Sequence, residues 1–270
     1  ITDRLKHESD GLGYMKEGFD QLFYISSEGG TPVQITSEKY NHRSFDWTHN
    51  SNGLVFSSNY NEEWEYDFRN SELYSIDIDG NNINQLTNRN GPDYGPIVSP
   101  NGKLIAFLGF DDKIQTYQTT NLYIMDIDGG NKKEIKTKLD RSISSIKWSN
   151  DGKKIFFMYD NHGNSKIATS TLNGKTEKLV DNVGGTTIGR PYGGGSYSLS
   201  KNNKIVFTLT SPYHPSDLAI YEEKSINRLT DLNHDLFKNK DLGVIEEIWY
   251  KSSIDGRDIQ GWVAKPPEFN

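Results

Sequence analysis

The sequence contains no cysteine among its 270 residues. Disulfide bonds, thiolate zinc sites and a cysteine nucleophile are therefore excluded together. Basic residues are also fewer than acidic ones, with 30 lysines and arginines against 37 aspartates and glutamates. Without a basic excess to hold phosphates, no nucleic-acid partner is expected. No apolar run approaches the roughly 18 residues of a membrane span, so no membrane association is expected either.

Apolar residues are scarce, at 33% of the chain, whereas aromatic residues reach 12%. Asn, Ser, Thr, Asp, Gly and Lys take the place of Leu and Ala, and this mixture suits short strands and turns better than packed helices. Low hydrophobicity is also typical of disorder, but the aromatic residues and the regular apolar triplets argue against it. An all-β fold with a sizeable core is therefore expected.

A repeat of about fifty residues organises the chain. Each copy has a turn followed by a strand that ends in an apolar-x-Phe triplet. The copies read NSNGLVF (50–56), SPNGKLIAF (99–107), SNDGKKIFF (149–157) and SKNNKIVF (200–207). Their final residues are Phe56, Phe107, Phe157 and Phe207, at spacings of 51, 50 and 50 residues.

A hairpin comes after each of these strands, and its turn carries a dipeptide that tolerates positive φ. The dipeptides are Asp79-Gly80, Asp128-Gly129 and Asn173-Gly174. Four strands in about fifty residues are typical of a β-propeller blade, and no segment shows the apolar stripe of a helical solenoid. The pattern predicts about five four-stranded blades in residues 1–230, of which the first is incomplete. The missing initiator methionine leads us to expect that the chain starts inside a longer protein.

After Thr230 the repeat stops. Residues 231–243 are polar and predict a linker. In residues 244–270 the pattern indicates a hairpin with its turn at Asp255-Gly256, ended by Pro266-Pro267 because proline cannot donate to a strand ladder. This hairpin belongs to no blade, so we interpret it as the first strands of a further domain.

Catalytic and metal-binding motifs are not evident. Gly194-Gly195-Ser196-Tyr197-Ser198 approaches a G-x-S-x-G nucleophile elbow, but it ends in serine and precedes a strand rather than a helix. No histidine pair has H-E-x-x-H or H-x-H spacing, and the Asp-Gly turns lack EF-hand spacing. We therefore predict no catalytic residue, no metal ligands and no cofactor in this chain.

Several segments carry a family resemblance. They are the repeats SPNGKLIAF (99–107) and LYIMDIDGG (122–130), TSPYHPSDLAIY (210–221), EEIWYKSSIDGRDIQGWVAKPPEF (246–269) and ITDRLKHESDGLGYM (1–15). With them the chain resembles the propeller of a prolyl oligopeptidase family serine peptidase, of the acylaminoacyl-peptidase or dipeptidyl aminopeptidase type, with TolB-like repeats. The match in 210–221 is imperfect, because Asp217 replaces the family's Glu and Ala219-Ile220 intervene before Tyr221.

The resemblance implies a seven-bladed propeller that caps an α/β-hydrolase domain carrying a Ser-Asp-His triad beyond Asn270. This chain would then be about five of seven blades and the start of the hydrolase. It would gate access for short peptides and be inactive alone. The implied partners are a peptide substrate and the chain's own hydrolase domain, and an open propeller is expected to self-associate. A bacterial cytoplasm is the expected compartment.

Two other functions stay open. A TolB-like propeller acting as a protein-binding scaffold fits the repeats equally well, but it leaves the hairpin in 244–270 unexplained. A propeller carbohydrate lyase would usually need a histidine-rich central metal site, and the six histidines are scattered.

Two places are candidates for substrate contacts. The long acidic and aromatic loop 59–72 contains Glu62 and Glu63, which could meet a substrate amino group, as in aminopeptidases of the related type; the alternative is a solvated charged loop. Arg190 and Tyr192 begin the last blade near the propeller axis, where an arginine could bind a peptide carboxylate or carbonyl. The alternative for Arg190 is a pair with a neighbouring aspartate.

Overall fold

Antiparallel β-strands make up the regular structure of the chain. The computed structural model describes residues 4–185 and 194–269, and within these ranges the one helix is the short α1 (His234–Phe237). No helix in the described ranges is long and apolar enough to cross a membrane. The chain divides into two compact units, Ile1–Met158 with Thr169–Glu177 and Tyr159–Ala168 with Lys178–Asn270.

The first unit opens with two short hairpins and continues with four-stranded sheets. The hairpins pair β1 (Glu8–Ser9) with β2 (Gly13–Tyr14), and β3 (Phe23–Tyr24) with β4 (Val33–Gln34). The next sheet has the order β5 (His42–Trp47), β6 (Gly53–Ser58), β7 (Glu72–Asp77) and β8 (Asn84–Gln85). After it comes the sheet of β9 (Asp93–Val98), β10 (Leu104–Gly109), β11 (Asn121–Asp126) and β12 (Lys133–Glu134).

The next four strands also follow one another in a single sheet. They are β13 (Ile143–Trp148), β14 (Lys154–Asn161), β15 (Asn164–Thr171) and β16 (Thr176–Val183). The division into units falls within β14, β15 and β16. The second unit continues with β17 (Tyr197–Leu199), β18 (Ile205–Ser211), β19 (His214–Glu222) and β20 (Ser225–Arg228), which also pair in sequence order.

The repeated phenylalanines form the centre of the core. Phe56, Phe107, Phe157 and Phe207 are the four largest fully buried side chains among the described residues. In the first unit, Phe56 packs with Leu54 against Leu22, which precedes β3 in the sheet before it. Strand alternation turns one face of each sheet toward its neighbour, so successive sheets of the first unit bury each other's apolar side chains.

The hairpin turns also contact the preceding sheet. Gly80 and Gly129 have φ of 83° and 89°, as their place in the dipeptides predicts. A Cβ on Gly80 would lie 2.7 Å from the carbonyl oxygen of Ile35, and one on Gly129 would lie 3.0 Å from that of Leu86. Glycine is therefore required at these turns both for the backbone conformation and for the close approach.

The C-terminal hairpin forms a sheet of its own. Strands β21 (Val244–Lys251) and β22 (Asp258–Lys265) pair along their whole length. The hairpin rests on the turn between β14 and β15, where the Trp262 ring leaves no room for a Cβ on Gly163. The Gln260 amide donates a hydrogen bond to the His162 carbonyl (3.1 Å), and the Trp249 ring meets the His162 ring at 5.1 Å.

The predicted all-β fold is confirmed, with two separate four-stranded antiparallel sheets after the short hairpins. In the later strands β16 also pairs with β18, so β13 to β20 form one eight-stranded sheet. The number of blades in the intact ring and the domain boundaries at 230/231 and 243/244 stay predictions.

Candidate functional site

The loop between β6 and β7 is compact and polar. Asn59 donates from its amide to the Asp67 carbonyl (2.7 Å), and Asn61 donates to the Asp67 carboxylate (3.1 Å). These bonds fold the loop into consecutive turns that leave the side chains of Glu62 and Glu63 exposed. The loop therefore presents its asparagines inward and these two carboxylates to solvent.

A polar cleft of about 480 Å³ lies beside this loop, within the first unit. Six carboxamides, two tyrosines, a glutamate and an arginine form its walls. They are Asn59, Tyr60, Asn61, Asn70, Glu72, Tyr74, Gln85, Asn88, Arg89 and Asn90. Such a lining offers many hydrogen-bond donors and acceptors and a few charged groups, which is typical of a site for a polar ligand.

Glu72 is the buried carboxyl group of the cleft. It is the first residue of β7, and only 7% of its surface is exposed. The Thr87 hydroxyl donates a hydrogen bond to its carboxylate and accepts one from the Leu73 amide (2.9 Å). Thr87 thus fixes the carboxyl against the strand ladder.

An ion pair lies next to Glu72. The Arg89 guanidinium contacts Asp93, whose side chain is fully buried, and it stacks over the Tyr123 ring at 4.1 Å from the centroid. A Cβ on Gly109 would clash with both members of the pair, so the pair fills the space that this glycine leaves. Asp93 therefore engages the guanidinium of Arg89, which lines the cleft together with Glu72.

Aromatic side chains close the other wall. The Tyr60 hydroxyl is 2.8 Å from Nε2 of the buried His42, and the Tyr60 and Tyr74 rings meet edge to face at 4.6 Å. Burial lowers the pKa of His42 below its usual value, although Asp20 and Glu38 oppose this. His42 is therefore a neutral support for Tyr60 at physiological pH.

The electrostatics single out Glu72. Burial raises its pKa to about 7; the Thr87 hydrogen bond opposes the shift and the Asp93 charge adds to it. Burial also raises the pKa of Asp93, against the charge of Arg89. A carboxyl group in a cleft whose pKa is shifted by burial and by neighbouring charges is a candidate for a functional site, since functional sites often contain such groups.

Glu72→Gln is expected to remove part of the pH dependence of stability. The folded state holds the Glu72 proton more tightly than the unfolded chain, so the contribution of this group falls as the pH rises from about 4.5 to 7. With allowance for solvent screening in the open cleft, E72Q should exceed the wild type by about 2 kcal/mol at pH 8 and match it at pH 4.5. Urea unfolding at both pH values measures this difference. The exposed Glu63→Gln serves as control, and an equal pH dependence in E72Q and wild type would contradict the assignment.

Of the residues predicted to contact substrate, Glu62 and Glu63 lie on the outside of the loop that borders the cleft. Arg190 and Tyr192 lie outside the described residues. The substrate roles of all four stay predictions. Glu72, which directly precedes the apolar residues of its strand, was not identified in the sequence analysis. One feature of the sequence indicated it: the repeat places another acidic residue, Asp217, at the equivalent position of a later blade.

Neither a metal centre nor a nucleophile is evident at the cleft. Within residues 4–185 and 194–269 no three His, Asp or Glu side chains are grouped so as to hold a metal ion. The cleft walls contain no serine and no histidine. The groups that the cleft walls do present are carboxamides, tyrosines, a glutamate and an arginine, which can bind a ligand by charge and hydrogen bonds.

In sequence, the chain is similar to peptidase relatives. Residues 8–108 match the family model described as the dipeptidyl peptidase IV (DPP IV) N-terminal region. The probable dipeptidyl-peptidase 5 of Trichophyton verrucosum is 24% identical over 249 residues, which covers 84% of this chain and 32% of that protein. The chain thus spans about a third of the length of the curated relatives that it matches.

In fold, the chain is similar to β-propellers. The Pyrococcus horikoshii acylaminoacyl peptidase matches with a TM-score of 0.72 and 18% identity, covering 98% of this chain and 39% of that one. The putative TolB of Agrobacterium tumefaciens matches with a TM-score of 0.58 and 19% identity, covering 78% and 74%. These likenesses confirm the predicted β-propeller fold.

Proposed function

We propose that this chain, which resembles the N-terminal propeller region of prolyl oligopeptidase family peptidases, is the substrate-gating part of a serine peptidase that hydrolyses short peptides. The observation that carries the proposal is the similarity to a probable dipeptidyl-peptidase 5 along 249 residues, since it includes most of the repeat. In this role the propeller excludes large or folded chains from the active site.

The catalytic groups would lie in a hydrolase domain beyond residue 270. There a serine would attack the peptide carbonyl with help from a histidine and an oxyanion hole. The hairpin β21–β22 supports this arrangement, because it forms a sheet of its own that is separate from the sheets of the repeat. The substrate peptide and this hydrolase domain are the proposed partners, and Glu62, Glu63, Arg190 and Tyr192 the proposed substrate contacts.

The purified chain is expected to show no peptidase activity, because the proposed triad lies outside it. Chromogenic dipeptidyl and acyl-aminoacyl substrates should be hydrolysed no faster than in buffer. The full-length parent should hydrolyse them and lose this activity with diisopropyl fluorophosphate. Hydrolysis by the chain alone that this reagent abolishes would contradict the proposed inactivity.

A second candidate is a protein-binding scaffold, which the likeness to a putative TolB favours. The two functions predict different sequences after the propeller in the parent gene. A His-Gly-Gly-Pro segment within about sixty residues after Asn270 is expected for the peptidase, whereas a stop codon there would favour the scaffold.

A further inference from the structure

Two blades hold a buried carboxyl group in the same way. In the first unit the Thr87 hydroxyl donates to Glu72, and in the second unit the Thr230 hydroxyl donates to Asp217 (2.8 Å). Both carboxyl groups belong to residues that are nearly fully buried. The repeat has therefore built the same carboxyl site twice.

The residue two positions before the threonine is also equivalent in the two blades. Gln85 donates from its amide to the Thr87 carbonyl (2.7 Å), and Arg228 donates from Nε to the Thr230 carbonyl (2.8 Å). Arg228 then reaches further and pairs through Nη2 with Asp217. Gln85 is shorter and carries no charge, so the blade that contains Glu72 lacks this internal ion pair.

Glu72 consequently has no cation of its own. Within the described part of the chain, no lysine, arginine or histidine lies within 4.0 Å of its carboxylate, and the nearby Arg89 is engaged by Asp93. Where Arg228 lies beside Asp217, Glu72 instead borders the cleft, together with Gln85 and Tyr74.

We propose that the cleft binds an organic cation, a guanidinium or alkylammonium group, that pairs with Glu72 as Arg228 pairs with Asp217. The planar guanidinium fits a carboxylate through paired hydrogen bonds. The Tyr60 and Tyr74 rings in the wall add cation–π attraction. The surrounding carboxamides bind the neutral remainder of the ligand. This site goes beyond the gating role and does not depend on it.

Binding should strengthen with pH, because only the ionised Glu72 attracts the cation. The charged groups that act on Glu72 are Asp93 at the start of β9, which raises its pKa, and Lys132 and Arg89, which lower it. With a pKa of about 7, the ionised fraction of Glu72 rises about tenfold between pH 6 and pH 8. The affinity for a cation that stays charged should rise by about the same factor.

The test uses ethylguanidinium and n-butylammonium as probes, with neutral N-ethylurea as the isosteric control. Titrations followed by NMR on this chain should show cation binding that is about tenfold tighter at pH 8 than at pH 6. N-ethylurea should bind at least tenfold more weakly than ethylguanidinium. Equal binding of the charged and neutral probes would overturn the proposal, and the stronger of the two cations identifies the preferred group.

Two substitutions make the test specific. E72Q should weaken binding at least tenfold and remove its pH dependence. Gln85→Arg should also weaken binding at least tenfold, although it keeps Glu72. The new guanidinium would form an intramolecular ion pair with the Glu72 carboxylate, as Arg228 does with Asp217. The control Glu28→Gln removes an exposed charge of the first unit that does not line the cleft, and it should change the affinity less than twofold. Undiminished binding by a folded Q85R protein, or a loss in E28Q as large as in E72Q, would overturn the assignment.

Discussion

Phe107→Ala is expected to lower the free energy of unfolding by about 3–5 kcal/mol, one of the largest effects of any single substitution in this chain. The side chain is completely buried. It packs with Ile105 and Met125 of its own sheet against Val55 and Leu73 of the preceding sheet. Truncation therefore removes apolar contacts within one sheet and also between two successive sheets, and the rigid strands on either side cannot close the cavity.

Urea unfolding followed by circular dichroism measures this loss, with two matched variants. Phe68→Ala removes the same side chain at an exposed position (69% exposed) and should change stability by no more than about 0.5 kcal/mol. Phe107→Leu keeps most of the volume and should cost about 1–1.5 kcal/mol. A loss of less than about 1 kcal/mol in F107A would show that the sheets do not depend on this packing.

The sheet pattern was predictable because its chemistry repeats. The four phenylalanines recur at nearly constant spacing, and each is buried at the same place in its sheet. The Asp-Gly turns were predictable for the same reason, since positive φ strongly selects glycine. When the same physical constraint acts in every sheet, the same residue type recurs at the equivalent position. The repeats of one sequence can then be aligned with each other, and the shared positions identify the core.

A positive-φ residue in the first strand of three sheets, with a register shift beside it in two of them, was not predictable. Ser44, Gly95 and Ser145 occupy equivalent positions at spacings of 51 and 50 residues, and their φ values are 46°, 61° and 52°. The register of β5 with β6, and of β9 with β10, shifts beside the first two positions. Serine has no strong preference for this conformation, so the two serine sites carry no sequence signal of the positive φ.

The sequence indicated the region that borders the candidate site but not the residues that line it. The length and acidity of loop 59–72 marked the right edge of the fold, but Glu62 and Glu63 lie on its outside and Glu72 lies in the cleft. Arg89 and Asp93, which follow β8 in sequence, act electrostatically on the pKa of Glu72, and no local sequence pattern encodes this influence. Loop chemistry is readable from sequence, whereas the direction of a side chain depends on how the loop folds.

Asp217 carries the second large expected effect. Its side chain is fully buried and accepts hydrogen bonds from the Thr230 hydroxyl (2.8 Å) and the Leu232 amide (3.0 Å), besides its ion pair with Arg228. It thereby ties β19 to β20 and to the segment that leads toward β21. Burial opposes its ionisation, but these three partners outweigh burial and lower its pKa below the usual value.

Asp217→Ala is expected to lower the free energy of unfolding by about 3 kcal/mol, because it removes one partner of a buried ion pair and leaves a hydroxyl and an amide unsatisfied. Asp217→Asn keeps an acceptor for Thr230 and Leu232 and should lose about half as much. The control Asp231→Asn removes a second, half-exposed partner of Arg228 and should cost less than about 1 kcal/mol.

The pH dependence of stability distinguishes the contribution of the Asp217 charge from that of its hydrogen-bond geometry. Because the folded state lowers the Asp217 pKa, its stabilisation is complete above the unfolded value of 3.8 and is lost as the pH falls through the lower folded value. Wild type and D217N should therefore differ most at pH 6 and converge toward pH 2. Urea unfolding across this range measures the convergence. A difference that stays constant with pH would mean that Asp217 acts through hydrogen-bond geometry alone and that its pairing with Arg228 contributes nothing to stability.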